Sequence, residues 1–344
     1  MVELYSISYY FLIAVVLIIG IIIYLKIAEK WSITDQPNSR SSHIVVTKRG
    51  GGIIYVIAIV IYMISSNLNM PNIIICGFLL GIMGFIDDLK NLDFKIKLIF
   101  QCLTIGYLLS TTNYNALEWY LLFLMFFLII SSINILNFMD GINGLTILYS
   151  FSFLISFYII NVHMIAFTDS NFLLIIILSN LIIGYFNIRK KAVCFLGDVG
   201  AITMGFIYAV LTISLMVKTN SLSPLILFLV YFLDSGWTIV ERWIAKENIF
   251  LPHRKHLYQL LVNEYKLSHL LVAAIYFSIQ SLVNLIWLMN YEKDLAPITL
   301  ISKSFLKSSS FRRDIGFKLI LPGEYIIESN SLKSGSSSIK ISQV

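Results

Sequence analysis

The run YLLFLMFFLIISSINILNFMDGINGL, Tyr120 to Leu145, decides the fold. Its first part, Tyr120 to Ile133, is apolar and carries no charge, the pattern of a helix that crosses a bilayer. Asn134, Asn137 and Asp140 then follow at i, i+3 spacings. A continuing helix would hold all three within about 120° of its surface. Gly141 and Gly144 come next, and glycine lets a ligand approach the backbone closely. A carboxylate and two carboxamides at the mouth of a span are costly there and point to function rather than packing. A polar helix end closed by a glycine cap is the alternative for the Asn pair.

The rest of the chain agrees with a membrane reading. Of 344 residues, 58% are hydrophobic and 13% charged, against about 25% charged in a soluble domain. Unbroken apolar runs, rather than alternating ones, exclude a barrel. Candidate spans lie near 7–25, 53–65, 73–86, 98–110, 120–133, 145–160, 172–186, 202–217, 224–239 and 267–289. The expected fold is an all-α integral membrane protein, a polytopic bundle of about ten transmembrane helices with catalytic cytoplasmic loops. Glu3 precedes the first run with no basic residue, which fits an uncleaved span with its N-terminus outside. The odd-numbered connections hold the basic clusters, among them Lys48–Arg49, Lys95, Lys97, Arg189–Lys191 and Arg254–Lys255, whereas the even-numbered ones hold Lys218 alone. That bias places the odd connections in the cytoplasm. The net charge of +6 then speaks of orientation and anionic lipid, with no nucleic-acid partner. Cys76, Cys102 and Cys194 are isolated and read as small apolar packing residues.

Every polar motif falls on the cytoplasmic side. In DQPNSRSSHIVVTKRGGG, Asp35 to Gly52, the residues Arg40, His43, Lys48 and Arg49 suit an anionic ligand. Gly50–Gly52 would expose backbone N–H groups to it; an ordinary basic loop is the alternative. Asp87 and Asp88 end a span, with Asp93 beyond them, and carboxylates suit a hard cation such as Mg²⁺. Lys97 re-enters the next span, within reach of a phosphate or a base carbonyl, or simply snorkelling. Asp198, between Gly197 and Gly200 in FLGDVGA, can present a carboxylate to a metal or cap its helix. His253, Arg254, Lys255 and His256 give four donors in four residues and resemble a diphosphate clamp. Asp234 is expected to pair with an Arg or Lys of another helix; His163 and His269 receive no role. Residues 1–290 form the membrane domain. The polar, Ser-rich tail 291–344 reads either as a disordered appendage or as a bundle lacking a final helix.

In this order, RSSHIVVTKRGGG, GFIDDLKN, NILNFMDGINGL, FLGDVGA and PHRKHLYQ resemble the motifs of the bacterial polyprenyl-phosphate N-acetylhexosamine-1-phosphate transferases, glycosyltransferase family 4. That family includes the phospho-MurNAc-pentapeptide translocase, and the match is nearer its O-antigen and capsule initiating branch. The resemblance implies transfer of a sugar 1-phosphate from a UDP-N-acetylhexosamine to undecaprenyl phosphate, with release of UMP, at the bacterial inner membrane. It implies Mg²⁺, with Mn²⁺ as a substitute, and a bilayer-embedded monomer or homodimer. It implies catalytic roles for Asp87, Asp88 and Asp140, and metal binding by Asp198 and Asp140. Substrate would be held by Asn134, Asn137, Asn143, Lys97, His253, Arg254 and His256, besides Arg40, His43 and Lys48. Asn143 stands where the family has an aspartate, and Ala201 where it has a hydroxyl. Since other carboxylates abound, Asn143→Asp is expected to change turnover less than about tenfold, or 1.4 kcal/mol of barrier. A membrane prenyltransferase, an inactive relative and a transporter are the competing readings; a transporter should show inverted repeats and midplane charge.

Overall fold

The computed structural model describes residues 6–37, 42, 45–66, 69–112, 118–248 and 253–294, together with 319–321, 325–329 and 339–343. The apolar runs become helices in order: α1 Ile7–Lys30, α2 Ile53–Ser65, α3 Pro71–Lys90, α4 Phe94–Thr111, α5 Trp119–Met139, α6 Leu145–Ile159, α7 Ser170–Asn187, α8 Gly197–Thr219, α9 Leu229–Ile244, the short α10 Leu257–Asn263, and α11 His269–Asp294. Among the described residues, nine apolar helical segments are long enough to cross a membrane, two of them with adjoining turns: α6 continues to Met164 and α9 is entered from Ser223. The tenth expected span, α2, has 13 residues and rises about 20 Å at 1.5 Å per residue. The protein is an all-α polytopic membrane protein. A two-residue ladder, β1 Thr34–Asp35 with β2 Thr47–Lys48, pins the ends of the first connection together.

The bundle is built around α8, which is buried along almost its whole length. Small residues let other helices approach it closely, the usual device where lipid gives no hydrophobic drive. A Cβ at Gly205 would stand 2.7 Å from Ile133 Cα of α5, and one at Gly84 2.7 Å from Val199 Cα of α8. Polar pairs tie the outer helices. Tyr149 donates to Gln280 at 2.9 Å, and Asn284 donates to Ser156 at 3.0 Å, joining α6 to α11. Such bonds contribute about 0.6 kcal/mol each in a membrane. The stretch before α9 is a 3₁₀ turn, Ser223–Phe228. Its irregular backbone is satisfied by Gln280, which accepts from Val230 N and donates to Ile226 O.

Residues Glu292–Val344 form a second compact unit. Beyond the last residues of α11, its described residues form an antiparallel sheet of β3 Leu319–Leu321, β4 Tyr325–Ser329 and β5 Ile339–Gln343.

Candidate active site

The ends of α5, α7, α8 and α11, at residues 139, 187, 197 and 269, meet with the strand-following Arg49 at one end of the bundle, around a cavity of about 510 Å³. Arg49, Asn137, Asp140, Asn143, Asp198 and His253 line it, all of them singled out by the sequence. Arg40 and His43 lie outside the described residues.

Two networks arrange the acids. Asp88 is buried, and both its oxygens are engaged. Oδ1 accepts from Arg49 Nε at 2.9 Å, Arg49 Nη2 at 2.7 Å and the Asp198 N–H at 2.9 Å, and Oδ2 from the Val199 N–H at 3.1 Å. A carboxylate there satisfies two orphan amides of α8 and complements its dipole. Asp87 is held differently. Its Oδ1 accepts from Leu92 N and its Oδ2 from Lys97 Nζ, each at 2.7 Å. The Asp87 carboxyl also lies within hydrogen-bonding reach of Asp198. Asp198 in turn has Arg49 Nη2 3.7 Å away. Two adjoining carboxylates flanked by Lys97 and Arg49 make a charged pair that a hard cation would neutralise. Asp140 is half-buried in the wall, and desolvation pushes its carboxyl up to about 7. Among the described residues no three His, Cys, Asp or Glu side chains form a ready metal cage.

Other expected residues sit elsewhere. Lys48 pairs with Glu29 at 2.8 Å. The Gly51 and Gly52 N–H groups do not wait for an anion: they donate to Phe195 O and Leu196 O at 2.9 and 2.7 Å. Gly52 is needed instead for contact, because a Cβ would fall 2.1 Å from Gly200 Cα. Asp93 caps α4 through Lys95 N. Asn134 donates to Gln101 at 3.0 Å and to Ile130 O, tying α5 to α4.

The histidine loop separates into parts. His253 reaches the cavity, and burial, with His256, Arg242 and Lys255 nearby, drives its pKa down to about 4. It is therefore neutral at pH 7 and offers a hydrogen bond rather than charge. Arg254 is partly exposed beside it, and Lys255 pairs with Glu247. His256 is buried, with Nδ1 3.3 Å from Asp234. Asp234 thus takes a histidine and the amides of Leu257 and Tyr258, where an Arg or Lys partner was expected.

The sequence reading missed His269, Gln259, Asn187, Ser42 and Asp35, which also line the cavity. His269 Nδ1 accepts the Asn143 N–H at 3.3 Å, which leaves Nε2 as the protonated nitrogen beside Ser42 O at 3.1 Å. A histidine heading an apolar helix carries no local signal of such a role.

Asn143 is held through its side-chain amide, which donates to Arg189 O at 3.0 Å and Lys190 O at 3.4 Å. The opposite amide orientation would set its oxygen against both carbonyls. An aspartate has no donor for them, so the substitution acts on stability as well as on turnover. Asn143→Asp should destabilise the protein by about 1–3 kcal/mol, the cost of buried groups left unpaired. Thermal unfolding in detergent checks this; an unchanged midpoint would show that the amide latch contributes nothing.

Fold and site together define a membrane enzyme with a polar, acid-rich cavity at one end of a helical bundle. The family model for glycosyl transferase family 4 matches residues 70–216, the segment that holds Asp87, Asp88, Asp140 and Asp198. Over that segment the chain is similar to the family. It is 26% identical, over 75% of its length and 79% of the relative's, to a probable undecaprenyl-phosphate N-acetylglucosaminyl 1-phosphate transferase of Bacillus subtilis (strain 168). It is 29% identical, over 73% and 76% of the two chains, to the undecaprenyl-phosphate alpha-N-acetylglucosaminyl 1-phosphate transferase of Salmonella typhimurium. A phospho-N-acetylmuramoyl-pentapeptide-transferase of Streptococcus gordonii is also 29% identical, over 58% and 70%.

Proposed function

We propose that this protein transfers an N-acetylhexosamine 1-phosphate from a UDP-sugar to undecaprenyl phosphate, releasing UMP and starting a lipid-linked glycan. One observation carries the reading: Asp198, Asp140 and Arg49 line the cavity into which a membrane bundle opens, with the Asp87–Lys97 pair adjoining Asp198. Transfer between two phosphates depends on charge neutralisation and in-line positioning more than on a strong base. An oxygen of the lipid phosphate forms a bond to the sugar-bearing phosphorus, and the bond from that phosphorus to the UMP oxygen breaks. The lipid phosphate is already largely dianionic near pH 7, since its second pKa is about 6.

The acids fit Mg²⁺, which takes one or two protein carboxylates and leaves its other positions to phosphates and water. Asp198 and Asp140 would hold it, with Asp87 beside them, and the ion would neutralise the diphosphate charge of the donor. Arg49 at the wall and Lys97 behind Asp87 would offset phosphate charge while keeping their carboxylate partners, and neutral His253 would donate one hydrogen bond. Asp88, fully engaged by Arg49 and α8, positions these groups rather than touching substrate. Purified protein given undecaprenyl phosphate, UDP-N-acetylglucosamine and Mg²⁺ should release UMP and lose the activity with a chelator. No UMP release, with inorganic diphosphate set free from an added prenyl diphosphate instead, would favour a prenyl transfer and overturn the reading.

The cavity end faces the cytoplasm in this reading, because the nucleotide donor is cytoplasmic and the basic connections lie at that end. Single cysteines at Lys90 and Lys191 should therefore resist impermeant thiol reagents in intact cells, and those at Asn69 and Ser110 should react. Labelling of Lys191→Cys from outside would invert the arrangement.

A further inference from the structure

Tyr258 stands behind the cavity, yet it holds the loop that carries Asp140. Its hydroxyl donates to Phe138 O at 2.8 Å. That carbonyl belongs to the last turn of α5, where carbonyls lack intrahelical partners. The same hydroxyl fills the space beside Gly141, where a Cβ would lie 2.2 Å from the hydroxyl oxygen and 3.0 Å from Cζ. Glycine at 141 is thus required by contact and not by its conformation, since its φ is not positive.

Tyr258 is itself gripped from behind. It is 1% exposed, and its N–H and that of Leu257 donate to Asp234 at 3.4 and 2.9 Å. Asp234 also accepts from the Tyr276 hydroxyl of α11 at 2.5 Å. Two bundle helices, α9 and α11, therefore fix α10, and α10 fixes the end of α5.

We propose that Tyr258 is a positioning residue for Asp140: its hydroxyl, anchored through Asp234, sets where the carboxylate enters the cavity. This rests on the reading of Asp140 as part of the transfer site. A displacement of about 1 Å at a reacting group is enough to slow a positioned reaction severely, whereas binding made by the rest of the cavity would be unaltered.

The test is kinetic. Tyr258→Phe removes one oxygen and leaves the ring in place. It should lower kcat at least tenfold while KM for both substrates stays within about twofold, at a nearly unchanged thermal midpoint. Gly141→Ala should be more damaging because its methyl meets the hydroxyl. In the double variant Gly141→Ala with Tyr258→Phe the 2.2 Å contact goes and only the ring carbons at 3.0 Å remain to be eased, so kcat should rise at least tenfold above Gly141→Ala alone. Losses that simply multiply would overturn the proposal. So would full kcat in Tyr258→Phe, or a fall in its thermal midpoint large enough to account for the lost activity. UMP release by the wild-type protein is the control: its absence removes the functional reading itself, while its presence with multiplying losses removes this proposal alone.

Discussion

Asp198→Asn should lower turnover at least ~10²-fold, about 2.7 kcal/mol or more of barrier, the scale of losing one electrostatic stabiliser in a closed site. The substitution keeps the shape and leaves the backbone untouched, so the Asp198 N–H still reaches Asp88 and α8 keeps its anchor. Its effect on folding should be opposite in sign to its effect on activity. Asp198 adjoins the Asp87 carboxyl, and removing one of two neighbouring carboxylates relieves repulsion wherever no cation lies between them. The metal-free variant should therefore unfold at the wild-type temperature or above it. Stabilisation by added Mg²⁺, clear in the wild type, should shrink, because ligand binding stabilises only the state that holds it. A folded Asp198→Asn enzyme with normal turnover would remove Asp198 from the metal site.

Asp88→Ala should have the largest effect on stability. It strands the Arg49 guanidinium, which makes two bonds to Asp88 Oδ1, and unpairs the amides of Asp198 and Val199 at the head of α8. Removing one partner of a buried pair costs roughly 3–5 kcal/mol. Activity should vanish with it, because Asp198 then loses its backbone anchor. The partner variant separates the causes. Arg49→Ala together with Asp88→Ala should be less damaging than the sum of the two, since no unpaired charge remains. Additive losses in thermal unfolding would show that the two side chains do not depend on each other.

These cases show where reading the chain sufficed. Its membrane class and helical spans were legible because lipid demands long apolar runs with internal hydrogen bonds, and such runs are local in sequence. The acids were legible because charge at a helix mouth is costly without a use. Roles were less so. Asp87 and Asp88 are adjacent in sequence and look equivalent, yet one meets Lys97 and Asp198 and the other meets Arg49 and the α8 amides. On a helix, neighbours point about 100° apart, so their partners depend on which helices pack on each side.

By itself the sequence determined the apolar spans, the polar motifs at their ends and the family signature. Only the tertiary structure decided which polar groups are free to act. It assigned Gly52 to contact with Gly200, His256 to Asp234, Asn143 to the carbonyls of Arg189 and Lys190, and brought His269 to the cavity. The reason is physical: a buried polar group must be paired, and its partner comes from whichever backbone lies within about 3 Å. Spacing along a chain cannot specify that distance when the partner lies 46 residues from Asn143, or 126 in the case of His269.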